Sequence, residues 1–283
     1  MTVAAVDWGG TWIRAAAVTG GRIVARDRLA KPPSLDEQYA AVADLVRGVT
    51  AGLEPVAVGV GLAGVVQNGI VGTAANLGFT DGTDVAGALP LDLPVALLND
   101  VQATALGVAA QWPDGTTAVL AMGTGIGGAV IRDGSLDPGL GGAGDFGHMI
   151  VDLGGPRCPC GGTGCLEALV SGRVLAAAAS ALGLPDARAL VDAAERGDDR
   201  AAGVLDRCAL ALAAGVRSIV ATHDPHRIVL AGAPLAPDTW LGRAVRAHWD
   251  SIRPHWARTR LHHAADDEDA ALLGAAAHAL DRL

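Results

Sequence analysis

Short apolar runs punctuated by glycine open the chain, the pattern of strands joined by tight turns. "TVAAVDWGG" runs into a glycine turn, "TWIRAAAV" returns from it, and "RIVARDRLA" follows "TGG", so residues 2–30 read as an antiparallel hairpin start. The period then becomes helical over "SLDEQYAAVADLVRGVTAGL", where Ser34 and Glu37 have the spacing of a capping box. "PVAVGVGLAG" and "PVALLND" read as buried strands, and "VQATALGVAAQW" as a helix behind the second. The stretch from Pro55 to Thr80 carries no charge, but Gln67-Asn68-Gly69 and further glycines break it. That predicts a strand followed by turns rather than a membrane span.

"WPDG" at 112–115 is the best domain boundary, giving expected α/β domains over 1–113 and 114–283. After it the opening pattern recurs: "TTAVLAMGTGIGG" is a strand entering a glycine turn, and "AVIRDGSL" continues into a hairpin. Each half thus begins strand, glycine turn, strand, a weak internal duplication. From residue 165 the pattern is mostly helical, interrupted by the strands "RIVLAGAPL" and "TRLHHAA". "DDED" at 266–269 suits the start of a last helix, where negative charge complements the helix dipole, and this helix is expected to pack back on the first domain. "GVLDRCALALAAGVRSIV" has an apolar helical face suited to a core or a dimer contact.

Composition narrows the class. The 283 residues are 51% apolar, which argues against disorder, and the net charge of −9 argues against a nucleic-acid surface. The start "MTVAAVDWGG" has neither a basic head nor a long apolar stretch, so no signal peptide is expected and the protein reads as cytoplasmic. Structural disulfides are rare there, which turns the four cysteines toward metal chemistry.

Three of the four cysteines, Cys158, Cys160 and Cys165, lie within eight positions, ten residues after His148. Three thiolates and an imidazole form a common tetrahedral zinc set. All four positions are filled by protein, which favours a structural Zn²⁺ over a catalytic one. Such binding is worth on the order of 10 kcal/mol in model peptides, enough to hold an irregular loop. Cys208 falls in an apolar helix and reads as core.

Two glycine turns are candidate phosphate cradles. Gly9, Gly10 and Thr11 follow Asp7-Trp8, and Gly123, Thr124, Gly125 and Gly127 lie in "GTGIGG". No Lys-Ser or Lys-Thr follows either, and neither opens a helix, so they are neither P-loops nor dinucleotide fingerprints. Each alone reads as an ordinary hairpin turn; at matching places in two halves, their bare amides suit a nucleotide clamp. Asp7, at a strand end, is placed to hold Mg²⁺ through water. Asn99-Asp100 ends a strand before a helix. The local pattern fits a helix N-cap, and equally a general base with an amide beside it.

Together, "DWGGT", "NDVQATALG", "GTGIGG", "GHMIVDLGGPRCPCGGTGCLEALVSG", "IVLAGA" and "LLGAA" resemble the ROK family (repressors, open reading frames and sugar kinases) over nearly the whole chain. The resemblance implies a two-domain, actin-like (ribonuclease H-like) α/β fold that binds ATP, Mg²⁺ and a sugar and phosphorylates the sugar 6-hydroxyl. It implies that Asp100 is the catalytic base, and that Asn99, Asp145, His148 and Glu167 bind sugar. His148 would have one ring nitrogen on zinc and the other toward the sugar. It also implies that Gly232 forms a turn near the adenine or ribose, and that the enzyme is a homodimer.

Three positions depart from the family pattern: Asp145 where Glu is usual, Trp8 after the first Asp, and "AGA" around Gly232 in place of a run of glycines. Glucose or a related hexose is the first expected substrate and N-acetylmannosamine the alternative. ATP is favoured over polyphosphate, whose users usually lack the zinc cysteines. A non-catalytic sugar-binding protein is the rival of another class. A repressor is set aside, since "DWGGT" begins at residue 7 and leaves no room ahead for a helix-turn-helix.

Overall fold

A computed structural model of the chain describes residues 1–67, 69–72, 74, 77–80, 82–264 and 269–283. Asn68 of the expected Gln67-Asn68-Gly69 turn, Ala265 of the last expected strand and 266–268 of the "DDED" run lie outside the described residues. Strands run as β1 Thr2–Trp8, β2 Trp12–Thr19, β3 Arg22–Ala30, β4 Pro55–Leu62, β5 Val66–Gln67, β6 Ile70–Val71, β7 Val95–Asn99, β8 Thr116–Met122, β9 Ile126–Arg132, β10 Ser135–Asp137, β11 Arg227–Ala231 and β12 Arg260–His263. Helices run as α1 Leu35–Val49, α2 Val85–Ala88, α3 Asp100–Ala109, α4 Leu166–Leu169, α5 Gly172–Ala181, α6 Ala187–Glu195, α7 Asp199–His223, α8 Trp240–Ile252 and α9 Ala270–Leu280. No helix among the described residues is long and apolar enough to cross a membrane.

The two main sheets have strand orders β3-β2-β1-β4-β7 and β10-β9-β8-β11-β12. The pattern is the same twice: a meander of three strands, then two more beyond the first. The faint repeat of strand, glycine turn, strand is therefore a duplicated sheet topology. In the first sheet β1, β4 and β7 are parallel, so their carboxyl ends share one edge. Ligands of open α/β sheets gather outside that edge.

The chain forms two compact units. The first comprises Met1–Asp114, Ala129–Ala143 and Asp267–Leu283, and the second Gly115–Gly128 and Gly144–Asp266. The first break falls at the "WPDG" turn, but 129–143 differs from the expected linear division. That segment belongs with the first unit because the loop after β10 lies against it: the Gln102 side chain donates to the Gly141 carbonyl at 3.4 Å. Within the first unit α9 packs on α3 so closely that a Cβ on Gly274 would lie 1.8 Å from the Ala103 carbonyl oxygen. In the second unit α7 turns Leu205, Cys208, Leu212, Val216 and Ile219 inward, so its apolar stripe is core.

Helix α1 begins where the pattern expects it. Ser34 Oγ accepts from the Glu37 amide, and the Glu37 carboxylate accepts from the Ser34 amide at 3.3 Å. The helix ends at Val49, before the last residues of the expected run. Its buried face meets Trp8, which is fully buried; the indole stacks edge-on against Tyr39 at 5.5 Å and Phe79 at 5.4 Å. The indole N–H donates to buried Gln38 at 3.1 Å. A tryptophan at the end of β1 is accommodated because alternation along the strand sends its side chain into this core. Replacing Gln38 with Ala would leave that N–H buried without an acceptor, and is expected to cost about 1–3 kcal/mol in urea unfolding at unchanged cooperativity.

Candidate active site

The first unit presents Asp7, the first glycine turn, Asn99 and Asp100. Trp8 pairs with Ile13 across the β1–β2 hairpin, and the Gly9 amide donates to the Trp12 carbonyl at 3.0 Å, so Gly9, Gly10 and Thr11 form the connecting loop. Gly10 and Thr11 are exposed there. Asp7 is buried and meets a residue that the motif did not single out. Arg14, its register partner on β2, donates from Nε at 2.8 Å and from Nη2 at 2.5 Å to the same carboxylate oxygen. Hairpin register alone could have found this pair. A Mg²⁺ bound through water to Asp7 would share the carboxylate with Arg14.

Asn99 closes β7 and caps α3. Its Oδ1 accepts from the amides of Val101 at 2.8 Å and Gln102 at 3.3 Å, while its Nδ2 donates to the Gly64 carbonyl at 2.8 Å. The N-cap is thus Asn99, and Asp100 is the first residue of the helix. Burial raises the Asp100 carboxyl to about 6; the Val101 N–H, 2.9 Å away, pulls it partly back, and the negative charge of Asp7 pushes it further up. A carboxylate poised near neutrality, at the carboxyl edge of a parallel sheet, is suited to accept a proton at physiological pH.

The second unit presents the second glycine turn, Asp145, His148, Glu167 and the cysteines. Gly123 and Thr124 are exposed between β8 and β9, and the Gly123 amide closes the turn on the Gly125 carbonyl at 3.0 Å. Glu167, at the start of α4, braces this turn: its Oε2 accepts from the Ile126 amide at 2.8 Å. A Cβ on Gly125 would sit 2.2 Å from that oxygen, so any side chain there would push the Glu167 carboxylate off the turn. Gly147 is packed on the same turn, where a Cβ would lie 2.1 Å from the Ile126 carbonyl oxygen. Gly232, after β11, holds φ +108° against the Met122 carbonyl. That one position demands glycine, and the flanking alanines in "AGA" leave its turn intact.

Asp145 precedes a single 3-10 turn, Phe146–His148. Its carboxyl is raised by burial, lowered by His148 and raised by Glu167, so the three side chains sense one another. His148 Nε2 lies 3.8 Å from Asp145 Oδ2, and its Nδ1 lies 3.6 Å from Cys158 Sγ. The two ring nitrogens thus face opposite ways, one to the thiols and one to the carboxylate.

His148, Cys158, Cys160 and Cys165 bring their ligand atoms within 4.8 Å of one another. The separations of 3.6 Å between Cys160 and Cys165 sulfurs, and 3.6 Å between Cys158 sulfur and His148 Nδ1, suit a tetrahedron around one ion. Zn–S bonds of about 2.3 Å place sulfurs roughly 3.8 Å apart. The loop turns back on itself through the Arg157–Thr163 bridge, and Cys165 pairs with Ile150. Crowding divides the thiols: the Gly162 N–H and the neighbouring thiols lower Cys160, while burial and those same thiols raise Cys165. One divalent cation would accommodate all three as thiolates. Cys208 is buried apart from this group and burial pushes its thiol up to about 11, as suits an inert core residue. His262 and His263 lie on β12, where the His263 ring bonds the Leu235 carbonyl.

The chain matches the ROK family over residues 3–282. It is 35% identical to the N-acetylmannosamine kinase of Escherichia coli O139:H28 (strain E24377A / ETEC), over 98% of this chain and 97% of that one. Its fold is similar to the ROK hexokinase from Thermus thermophilus, with a TM-score of 0.91, 30% identity and coverage of 100% and 99% of the two chains. It is also similar to a ROK family glucokinase from Streptomyces griseus in complex with glucose and AMPPNP, at a TM-score of 0.81, 27% identity and coverage of 99% and 100%. The fold is the actin-like ATPase fold of such kinases.

Proposed function

This chain belongs to the ROK family as one of its sugar kinases, and we propose that it transfers the γ-phosphate of ATP to the 6-hydroxyl of N-acetylmannosamine or a related hexose. The observation that carries the chemistry is Asp100, a partly buried carboxylate raised to about 6 at the carboxyl edge of β1, β4 and β7. Asp100 accepts the hydroxyl proton as the sugar oxygen attacks the γ-phosphorus in line; the bond from that phosphorus to the bridging oxygen breaks and ADP leaves. The amides around Gly9, Gly10 and Thr11, and around Gly123, Thr124, Gly125 and Gly127, stabilise charge on the phosphates. Asp7 is the residue that would hold Mg²⁺, which supplies charge neutralisation of the phosphates. Gly232 shapes the turn for the nucleoside.

Asn99, Asp145, His148 and Glu167 orient the sugar in this reading. His148 Nδ1, Cys158, Cys160 and Cys165 are the residues that would hold a structural Zn²⁺, which would fix the imidazole so that Nε2 is presented as a directed N–H donor. Asp145 is one methylene shorter than the Glu usual there, so it leaves room for a bulkier sugar substituent, which favours the N-acetylated sugar over glucose. The 35% identity to N-acetylmannosamine kinases supports the same order. Glucose is the second reading, favoured by the likeness to the Streptomyces griseus glucokinase at 27% identity. The enzyme acts in the cytoplasm as a homodimer in this proposal, and light scattering is expected to return twice the chain mass.

An ADP-coupled assay across N-acetylmannosamine, N-acetylglucosamine, glucose, mannose and allose tests the reading. ADP release that depends on N-acetylmannosamine, with the highest kcat/KM in the panel, is expected. Equal, sugar-independent release with all five would overturn it. The pH profile is a second test. The proton acceptor must be ionised, so kcat/KM is expected to be level above about pH 7 and to fall tenfold per unit below about 6, the value that burial gives Asp100.

A further inference from the structure

Both oxygens of Glu167 are engaged, and by different parts of the second unit. Oε2 accepts from the Ile126 amide in the second glycine turn at 2.8 Å, and Oε1 accepts from Arg173 Nη2 at 2.5 Å. Arg173 is itself tied to that turn: its amide donates to the Thr124 carbonyl at 3.2 Å, and the preceding Gly172 amide donates to the Gly123 carbonyl at 2.9 Å. A Cβ on Gly172 would lie 2.5 Å from that Gly123 oxygen, so the docking is tight. The carboxylate is mostly buried, with 16% of its side chain exposed, whereas 61% of the arginine side chain is exposed. Releasing Arg173 returns an already exposed guanidinium to water, and a sugar hydroxyl takes over the mostly buried Oε1, while Glu167 stays fixed through Oε2.

We propose that Arg173 is a latch on Glu167 that couples the binding of the two substrates. This rests on the reading of Glu167 as a sugar ligand. A sugar hydroxyl donating to Glu167 Oε1 competes with the guanidinium for that oxygen. The released guanidinium remains tethered beside Gly123 and Thr124, because its backbone is bonded to that turn. There it meets the phosphates of the nucleotide as a charge-matched, multidentate donor. Sugar binding thus raises nucleotide affinity, and by linkage the nucleotide raises sugar affinity by the same factor. Arg173 occupies Glu167 Oε1 in competition with the sugar before the exchange, and is a phosphate ligand only after it.

The test uses the full-length, zinc-loaded protein and its variants Arg173→Gln and Arg173→Lys. Calorimetry measures AMPPNP affinity with and without saturating N-acetylmannosamine, or glucose if the panel selects it. In the wild type the sugar is expected to tighten AMPPNP about tenfold. In Arg173→Gln that factor is expected to fall below about twofold, while sugar affinity measured alone is unchanged or higher because the competitor is gone. Arg173→Lys, which keeps the charge and loses the fork, is expected to keep part of the coupling. Zinc content of both variants is expected to match the wild type, and the melting temperature to fall by at most a few degrees in Arg173→Gln, whose amide still offers an N–H to the mostly buried Glu167 Oε1.

Coupling of equal size in wild type and Arg173→Gln would overturn the latch, as would loss of sugar affinity in that variant. Absence of coupling in the wild type would do the same. Wild-type ADP release with sugar, measured alongside, separates the two levels. If release depends on sugar and coupling survives in Arg173→Gln, the latch alone fails; if release never depends on sugar, the kinase reading fails with it.

Discussion

Replacing Asp100 with Asn lowers kcat by roughly 10²–10⁴ and leaves sugar affinity within a few-fold of the wild type. The amide keeps an oxygen for the Val101 N–H, which the carboxylate accepts at 2.9 Å, so the geometry at the start of α3 is preserved. What is lost is the ability to take a proton. The same variant is expected to be more stable at neutral pH. Folding raises this carboxyl from 3.8 to about 6, so the folded state favours its protonated form. The carboxyl is therefore neutral in the folded protein below about 6; the stability that its neutral form contributes is fully present below about 3.8 and is lost as pH rises through about 6. By pH 7.5 the cost is about 3 kcal/mol at most. Asn recovers part of that, on the order of 1–2 kcal/mol. Urea unfolding is expected to show a gap between variant and wild type that is small at pH 4 and widens toward pH 7.5. A stability gap that tracks this titration separates loss of the carboxyl from general damage to the fold. Activity within tenfold of wild type would remove Asp100 from the role of base.

Removing one cysteine ligand is expected to have the second large effect. Cys160 is the exposed cysteine of the cluster, so Cys160→Ser disturbs little packing and isolates the loss of a metal ligand. The wild type is expected to carry one zinc per chain by elemental analysis, and the variant far less. Without the ion, the loop between His148 and Cys165 relies on its few backbone bonds, among them Cys158 N–H to the Gly162 carbonyl at 2.9 Å and Leu166 N–H to the Met149 carbonyl at 2.9 Å. His148 and the helix start that bears Glu167 then lose their fixed directions. Sugar turnover is expected to fall at least 10- to 100-fold, through KM as well as kcat. Cys208→Ser is the control: this buried thiol lies outside the cluster and bonds only the Leu169 carbonyl among the described residues, so zinc content should not change. Full activity in a zinc-free Cys160→Ser protein would contradict a structural role for the ion.

Much of the architecture is written in local patterns. Ser34 and Glu37 announce the start of α1 because a capping box is a contact three residues apart. The repeated strand, glycine turn, strand motif anticipates the matching orders β3-β2-β1-β4-β7 and β10-β9-β8-β11-β12 because hairpins are local too. The cysteine cluster is legible for the same reason: three ligands fall within one short loop, and His148 is brought to them by the Ile150–Cys165 bridge.

What was not legible depends on direction and on distant partners. Trp8 reads as a departure from the family pattern beside a phosphate turn, but one step of strand alternation separates it from Asp7. It points into the core against Tyr39 and Phe79, which lie 31 and 71 residues away in sequence. The Asp7–Arg14 pair needs the exact hairpin register. The brace from Glu167 to Ile126 spans 41 residues and joins a side chain to a backbone amide, which no residue-type motif records. The segment 129–143 joins the first unit through loop contacts such as Gln102 with Gly141, and a linear boundary cannot express that.

Phosphoryl transfer to the sugar 6-hydroxyl is tested most directly by identifying the product and the atom that reacts. N-acetylmannosamine and its 6-deoxy analogue are each incubated with ATP, Mg²⁺ and the zinc-loaded enzyme, and the products are read by phosphorus and carbon NMR. A single phosphate monoester on carbon 6 of the parent sugar is expected, with one ADP per monoester, and neither product with the 6-deoxy sugar. A monoester at another hydroxyl, or ADP formed as fast with the 6-deoxy sugar as with its parent, would contradict it.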